Sequence, residues 1–400
     1  MQLMLSEYDH KPAVALTTQQ RDQLRRMTKS VTVSPTIGYE GHYDLTPGSS
    51  VGVIHLADDL ELLIRPKLPI ERVLFLISYA LEHGRWQEAS ASLGEADTIL
   101  EAIIQSFAYR LRRTLLRGVL QGYRSEDDSL TTVRGRWRIG DQIRARYGIV
   151  PPVEVSFDDF TEDIEPNRLL RAALHRLLRL PVRSDRSRWP LRAIDARLGN
   201  VRLVEYDPRR VPQVTFDRRS EHYRGAVDLA RLILSGTSFD LAPGAVAASA
   251  FLVDMNKVFE DFVIVALREA LGVSDRVLVQ GASGKPLFLD LAERVSVEPD
   301  ISYWAGDRCL FVGDVKYKRI MPVGFPNADL YQLTAYTIAT DLDGGILIYA
   351  AGEAGDDIHD VRHIDKRLIV APLDLRVPPA QLLGQIKTLA SRIAPIAQAA

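Results

Sequence analysis

Two aspartates and a lysine lie close together in one stretch of this chain, between Val297 and Lys318. A Pro299-Asp300 pair is followed by Asp314-Val315-Lys316. Both acids sit in runs that read as strands, joined by a turn at Ala305-Gly306-Asp307. Residues two apart on a strand point to the same face. Asp314 and Lys316 therefore project together with Val312, while Phe311, Val315 and Tyr317 face the other way. The hairpin brings Asp300 near Asp314, so two carboxylates and one ammonium converge among apolar neighbours. Hard oxygen ligands of this kind suit Mg²⁺, with Mn²⁺ as a substitute. A divalent cation so placed polarises a phosphodiester and activates a water. The lysine orients that water or stabilises charge on the scissile phosphate. The pattern is short, and strand-end acids beside a snorkelling lysine would read the same way. The flanking elements must decide.

Upstream, Met255 to Leu271 carries Val263, Ile264, Leu267 and Leu271 at helical spacing. Glu260 lies on that stripe, whereas Asp261 is expected to face solvent. An acid leading an apolar stripe is costly unless it meets a cation or metal; a helix-start Glu favoured by the macrodipole is the simpler alternative. Downstream, Asn327 to Thr340 reads as a helix with Asn327 as its cap. Gln332 and Tyr336 are neighbours on one face of it. Ile346 to Tyr349 reads as a further strand.

That order of elements resembles the core of the PD-(D/E)XK nuclease superfamily. The resemblance narrows to the McrC family, the nuclease subunit of McrBC restriction systems. It is carried by VFEDFV around Glu260, EPDI around Asp300, GDVKYKR around Asp314 and ADLYQLTAY around Gln332. It extends to Leu62-Leu63-Ile64-Arg65-Pro66-Lys67, to Val133-Arg134-Gly135-Arg136 and to Phe160-Thr161-Glu162-Asp163 through Asn167-Arg168-Leu169-Leu170. Tyr223-Arg224-Gly225-Ala226 continues the pattern. The resemblance implies an Mg²⁺-dependent DNA endonuclease. Asp300, Asp314 and the Val315 carbonyl would hold the metal, and Glu260 would ligate it through water or orient the cluster. Lys316 would hold the attacking water or the phosphate. Gln332 would position substrate or Lys316, with Tyr336 in support. It also implies a separate McrB-like AAA+ GTPase, a hexameric ring, on which the N-terminal region docks, and a double-stranded DNA substrate. Arg134, Arg136 and Arg138 are candidates to stimulate that partner; a basic strand edge is the competing account.

The chain has 400 residues, 46% hydrophobic and 26% charged, with a formal net charge of −2. This composition fits a globular protein of two or three domains. Net charge gives no hint of nucleic acid, but arginines crowd the stretches Tyr109 to Val150 and Arg168 to Arg224. The single cysteine, Cys309, excludes an internal disulfide and suits a reducing, cytoplasmic setting. No membrane span is evident. The expected fold class is a multidomain α+β and α/β chain. Residues 1–150 form an N-terminal β-rich and helical partner-docking region. Residues 151–244 form an Arg-rich helical middle, bounded by Pro151-Pro152. Residues 245–400 form a restriction-endonuclease-like PD-(D/E)XK domain, able to stand alone after a linker at Ser235 to Ala245. Ser30 to Ser34, Ile37 to Tyr43 and Val51 to Leu56 read as strands of the first region.

Gly281-Ala282-Ser283-Gly284-Lys285-Pro286 is too short for a phosphate loop, and Pro286 replaces the required Ser or Thr. No nucleotide is therefore expected on this chain. His359 and His363 lack a metal-binding frame. Two rival functions stand beside the main one. One is a PD-(D/E)XK repair or recombination nuclease working without a GTPase. The other is a catalytically silent scaffold that binds DNA and regulates an AAA+ partner.

Overall fold

The computed structural model describes residues 2–81, 98–147, 151–180, 185–208, 210–235, 249–281, 285–317, 327–350 and 357–398. These pack as two compact units, one of residues 1–102 with 237–400, the other of residues 103–236.

The first unit begins with β1 (Gln2–Ser6), β2 (Lys11–Ala15), α1 (Thr18–Met27), β3 (Val31–Pro35), β4 (His42–Pro47), β5 (Ser50–Leu56), β6 (Leu60–Arg65) and α2 (Ile70–Leu81). Thr17 caps α1 through a reciprocal box with Gln20. The stretch read as a strand from Ile37 is a turn, and pairing starts only at His42. Gly38 and Gly41 there take positive φ, at 84° and 72°, and Ile37 is exposed. The helix α3 (Ile99–Leu115) crosses from the first unit into the second.

The second unit holds β7 (Gly122–Leu130), β8 (Arg136–Trp137), α4 (Ile139–Arg146), β9 (Val153–Thr161), α5 (Glu165–Arg179), α6 (Asp185–Asp195) and α7 (Arg224–Ser235). Its sheet has the order β7-β9-β8. β7 and β9 pair antiparallel along their whole length, so Pro151-Pro152 lies inside this unit rather than at a boundary. Val153, Val155 and Phe157 alternate inward on β9 and meet Leu130 and Trp137. The apolar face of α5, with Leu169, Leu170, Ala173 and Leu177 buried, packs on α7.

The chain then returns to the first unit through β10 (Ser249–Asp254). This strand completes a sheet of order β1-β6-β5-β10 by pairing antiparallel with β5. Gly52 makes that approach feasible: a Cβ there would fall 2.0 Å from the Phe251 carbonyl oxygen. After β10 come α8 (Met255–Leu271), β11 (Leu278–Gln280), β12 (Leu287–Phe288), β13 (Ser296–Val297), β14 (Ile301–Ala305), β15 (Arg308–Lys316), α9 (Asn327–Ala339), β16 (Gly344–Tyr349), β17 (Asp357–Asp360), β18 (Arg367–Pro372) and α10 (Pro379–Gln398). Six strands form a sheet of order β11-β14-β15-β16-β18-β17. β14 and β15 are the antiparallel hairpin read from the sequence. β15 and β16 are parallel, joined by the crossover that contains α9.

The N-terminal segment and the C-terminal sheet thus belong to one unit, not to separate domains at 1–150 and 245–400. Two contacts explain why. β10 enters directly into α8, and α2 packs on α8 through Phe75 and Tyr79 against Phe262, at ring distances of 5.6 Å and 5.4 Å. The Tyr79 hydroxyl also donates to Glu269 on α8. A piece beginning near Ala245 would expose all of this surface.

Candidate active site

The hairpin places its acids as strand geometry requires. β14 begins at Ile301, opposite Gly313. Asp300 therefore stands just before the strand, level with the last residues of β15. Without a β14 carbonyl opposite it, the Val315 N–H takes the Asp300 carboxylate instead, donating to Oδ2 at 2.8 Å. Asp314 projects from the face of β15 that packs under α9, with Val312, Leu333, Tyr336 and Leu347 in one apolar cluster. The opposite face carries Tyr317 against Phe259 of α8, at 6.1 Å between rings. A Cβ on Gly345 would come within 2.8 Å of Leu333, so this glycine lets α9 settle closely on β16.

Asp314 is fully buried. Neither of its oxygens receives a well-directed hydrogen bond among the described residues. The Lys316 ammonium lies 2.6 Å from Asp314 Oδ2 and 3.7 Å from Asp300 Oδ2. Burial, and then the Asp300 charge, push the Asp314 carboxyl well above its ordinary value. Burial opposes charge on Lys316, yet Asp314 and Asp300 outweigh it and hold the ammonium above its usual value. The three groups form one electrostatic unit in a low-dielectric setting.

Glu260 and Asp261 stand nearby on α8. Gln280 Nε2 donates to Glu260 Oε1 and to Asp261 Oδ1, both at 2.8 Å. Lys257 reaches the same two acids, at 3.4 Å and 2.8 Å. Burial raises the Glu260 pKa, and the Asp300 and Asp261 charges add to it. Asp261 is thus not simply turned to solvent, as the helical stripe implied. The bridging amide of Gln280, on the neighbouring strand, draws both acids to one side. Among the described residues no group of three His, Cys, Asp or Glu is placed to hold a metal ion. Glu260 is engaged by Gln280 and Lys257, and the Asp300 charge also reaches it.

On α9, Gln332 Nε2 donates to the Tyr336 hydroxyl at 2.5 Å, and that hydroxyl donates to the Glu298 carbonyl at 2.9 Å. These two residues therefore grip the segment that leads into Pro299-Asp300. Burial, and then the Asp314 charge, push the Tyr336 phenol far above its usual value. The sequence reading missed three neighbours. Gln280 is one. Asp329 and Tyr349 are the others: Tyr349 donates to Asp329 Oδ2 at 2.5 Å, both are buried, and the Asp329 charge helps to keep Lys316 protonated. The helical spacing of Asp329 with Gln332 and Tyr336 was the available signal. The turn read from the sequence at Gly281 to Pro286 includes residues 282–284, which lie outside the described residues.

The donor set fits a hard divalent cation. Asp314 offers two buried oxygens, one of them paired with the Lys316 ammonium at 2.6 Å, and Asp300 adds a carboxylate that accepts the Val315 N–H through Oδ2. A site with two carboxylates leaves the remaining positions to water and to phosphate oxygens, as Mg²⁺ prefers.

Fold and site together define a mixed α/β protein whose central sheet carries a paired-carboxylate and lysine centre where its middle strand runs out. The chain belongs to the McrBC 5-methylcytosine restriction system component family, whose model matches residues 45–350. Its fold is similar to a chain in the refined half-complex from a tetradecameric assembly of Thermococcus gammatolerans McrB AAA+ hexamers with bound McrC. That similarity has a TM-score of 0.56 at 18% identity and covers 98% of this chain and 100% of the other. A chain in the cryo-EM structure of the Thermococcus gammatolerans McrBC complex aligns over 68% of this chain and 88% of its own length, at 19% identity and a TM-score of 0.43. No curated protein matches this chain. No helix among the described residues is long and apolar enough to cross a membrane.

Proposed function

We propose that this chain is the Mg²⁺-dependent endonuclease component of a GTP-dependent McrBC-type restriction system, built on a PD-(D/E)XK core. The observation that carries this reading is Asp314: a fully buried carboxylate, without well-directed hydrogen bonds, between a lysine and a second aspartate. Such a group is costly unless a cation completes it. Asp314 and Asp300 would hold Mg²⁺, with the Val315 carbonyl on the same strand edge as the N–H that Asp300 accepts. When bound, the metal polarises the scissile phosphate and supports water attack. Lys316 orients the attacking water or stabilises charge on the phosphate. The water adds in line at phosphorus, and the P–O bond to the leaving oxygen breaks. Glu260 orders the acidic edge through Gln280. Gln332 and Tyr336 fix the approach of Asp300 through the Glu298 carbonyl.

The similar Thermococcus assembly joins McrB AAA+ hexamers to McrC. This chain would likewise work with an AAA+ GTPase that selects DNA and hydrolyses GTP. Many arginines of the second unit are tied down. Arg134 pairs with Asp159 at 2.9 Å and Arg138 with Asp127 at 3.1 Å, while Arg197 donates to the Leu115 carbonyl at 2.5 Å. Arg136 is exposed on that unit and is the better candidate for DNA or partner contact.

The test is plasmid cleavage by the full chain with its AAA+ partner, GTP and Mg²⁺. Asp300→Ala, Asp314→Ala and Lys316→Ala should each abolish cleavage while leaving partner GTPase stimulation intact. Cleavage by wild type without partner or GTP would favour a stand-alone repair nuclease. Absence of cleavage under all conditions, with GTPase stimulation preserved, would favour a silent regulating scaffold.

A further inference from the structure

Glu7, like Asp314, is a fully buried carboxylate of the first unit, and it lies far from the acids in sequence. It follows β1, and its backbone N–H donates to the Arg65 carbonyl at the end of β6. Its Oε2 accepts from the Lys67 backbone N–H at 2.9 Å and from the Tyr317 hydroxyl at 3.2 Å. The next residue, Tyr8, donates its own hydroxyl to the Tyr317 carbonyl at 3.2 Å. Two consecutive residues thus hold one tyrosine at both its ends. Tyr8 achieves this with a left-handed backbone, at φ 58°, which is uncommon for tyrosine and not adopted without support. Its N–H is fixed by the Pro47 carbonyl at 3.0 Å, and the Lys67 ammonium sits 5.4 Å from its ring centroid.

Tyr317 directly follows Lys316. One edge of the β15 end is held by β16, and the Ala350 N–H continues that ladder by donating to the Lys316 carbonyl at 3.1 Å. The other edge loses its strand partner where β14 stops at Ile301. Beyond that point the described bonds on the open edge are Asp300 to the Val315 N–H and Tyr8 to the Tyr317 carbonyl. We propose that Glu7 and Tyr8 form a positioning clamp that, through Tyr317, fixes Lys316 relative to Asp314 and Asp300. The clamp gives the Pro66-Lys67 segment a role as well, since Lys67 supplies the backbone donor that sets Glu7. This inference rests on the proposed endonuclease reading of the same centre.

The test uses the full chain and four substitutions: Tyr8→Phe, Tyr317→Phe, Glu7→Leu and Glu7→Gln. The tyrosine changes remove one hydroxyl each and keep the ring. Two readouts are taken: plasmid cleavage with partner and GTP across a Mg²⁺ titration, and the shift in Tm that Mg²⁺ alone produces on the chain. Tyr8→Phe, Tyr317→Phe and Glu7→Leu should lower cleavage about tenfold or more, the scale of losing a group that orients a site residue. They should also raise the half-saturating Mg²⁺ concentration and shrink the Mg²⁺-induced Tm shift. Glu7→Gln, which keeps an acceptor for Lys67 and Tyr317, should restore most of both. Asp314→Asn runs in parallel. Wild-type rates and Mg²⁺ dependence in both phenylalanine variants, with Asp314→Asn inactive, would overturn the clamp alone. Losses that track Tm at unchanged Mg²⁺ half-saturation would also overturn it, because they mark a merely structural role. Full cleavage by Asp314→Asn would remove the endonuclease reading and the clamp with it. If Tyr317→Phe fails to fold, the Tyr8→Phe and paired Glu7 results decide.

Discussion

Asp163 in the second unit and Asp314 in the first are both buried aspartates beside cations. Asp163 is saturated with donors. Arg168 Nε and Nη2 reach it at 2.8 Å and 2.9 Å, the Arg202 N–H at 2.8 Å, and Arg124 makes a further close contact. Arg168 and the other donors pull its carboxyl far below the ordinary range. Asp314 has the deeper burial and almost none of this support. Its carboxyl moves the opposite way. The difference separates an aspartate whose bonds hold the fold from one that, on the proposed function, would take a cation. Asp163 fastens the turn into α5 to β7, helped by Asn167, which donates to the Leu120 and Glu162 carbonyls at 2.8 Å and 2.7 Å. The family-like acid and Asn-Arg segment is therefore structural here.

The largest expected effect is on Asp314. Asp314→Asn should lower cleavage by at least about 10²–10³-fold, the range for removing one preorganised electrostatic group. The same change should raise the Tm of the metal-free chain, because a raised carboxyl pKa means that the fold disfavours the charged form. The sign with pH follows. Between the ordinary carboxylate value and the raised one, the folded state binds the extra proton, so stability falls as pH rises through that window. The Tm of metal-free wild type should decline more steeply across it than that of Asp314→Asn. Equal slopes, or a destabilised Asn variant, would mean that Asp314 is satisfied in the fold and is no open ligand.

Asp163 should behave in the reverse sense. Asp163→Ala leaves arginines without their acid and should destabilise the chain by about 3–5 kcal/mol, as for a broken buried ion pair. Its lowered pKa makes this stability complete above the ordinary carboxylate range and lost only as pH falls below it. Denaturation at neutral and acidic pH checks both statements. An Asp163→Ala chain as stable as wild type but defective in cleavage would erase the contrast between the two aspartates.

The legible part of the molecule was local. Asp300, Asp314 and Lys316 sit on one short hairpin, where period-two alternation and a glycine turn fix who faces whom. Likewise α8 announces itself through the apolar spacing of Val263, Ile264, Leu267 and Leu271. What escaped is non-local or polar. β10 pairs with β5 across about two hundred residues of chain, and nothing in SAFLVD names its partner. β7 has no buried residue, so its sequence offers no alternation to read. α1 buries Leu24 with Gln20 and Gln23, a face with little apolar signal. For the same reason Glu7 carried no hint: its partner, Tyr317, lies at the other end of the sequence.

The smallest expected effect compares two neighbours on α8. Glu260 and Asp261 share the Gln280 amide and the Lys257 ammonium, so their hydrogen bonds do not tell them apart. Burial does: the Glu260 side chain is 23% exposed and that of Asp261 38%. The electrostatic environment does as well, since Asp300 is among the charges that raise the Glu260 pKa. A group that feels Asp300 through the protein also acts on whatever cation Asp300 holds. Glu260→Ala should therefore lower cleavage about 10–100-fold, the range for partners that tune metal ligands. Asp261→Ala should cost only a few-fold, because the more exposed of the two acids is better screened by solvent. Gln280→Leu should resemble Glu260→Ala more than Asp261→Ala, since it frees both acids but matters through the one nearer Asp300. Parallel Mg²⁺ titrations of the three variants check the order. If Asp261→Ala proves the more damaging, the acid that serves the centre is the one on the outer side of α8. The Gln280 bridge would then exist to hold Asp261, not Glu260, against the sheet.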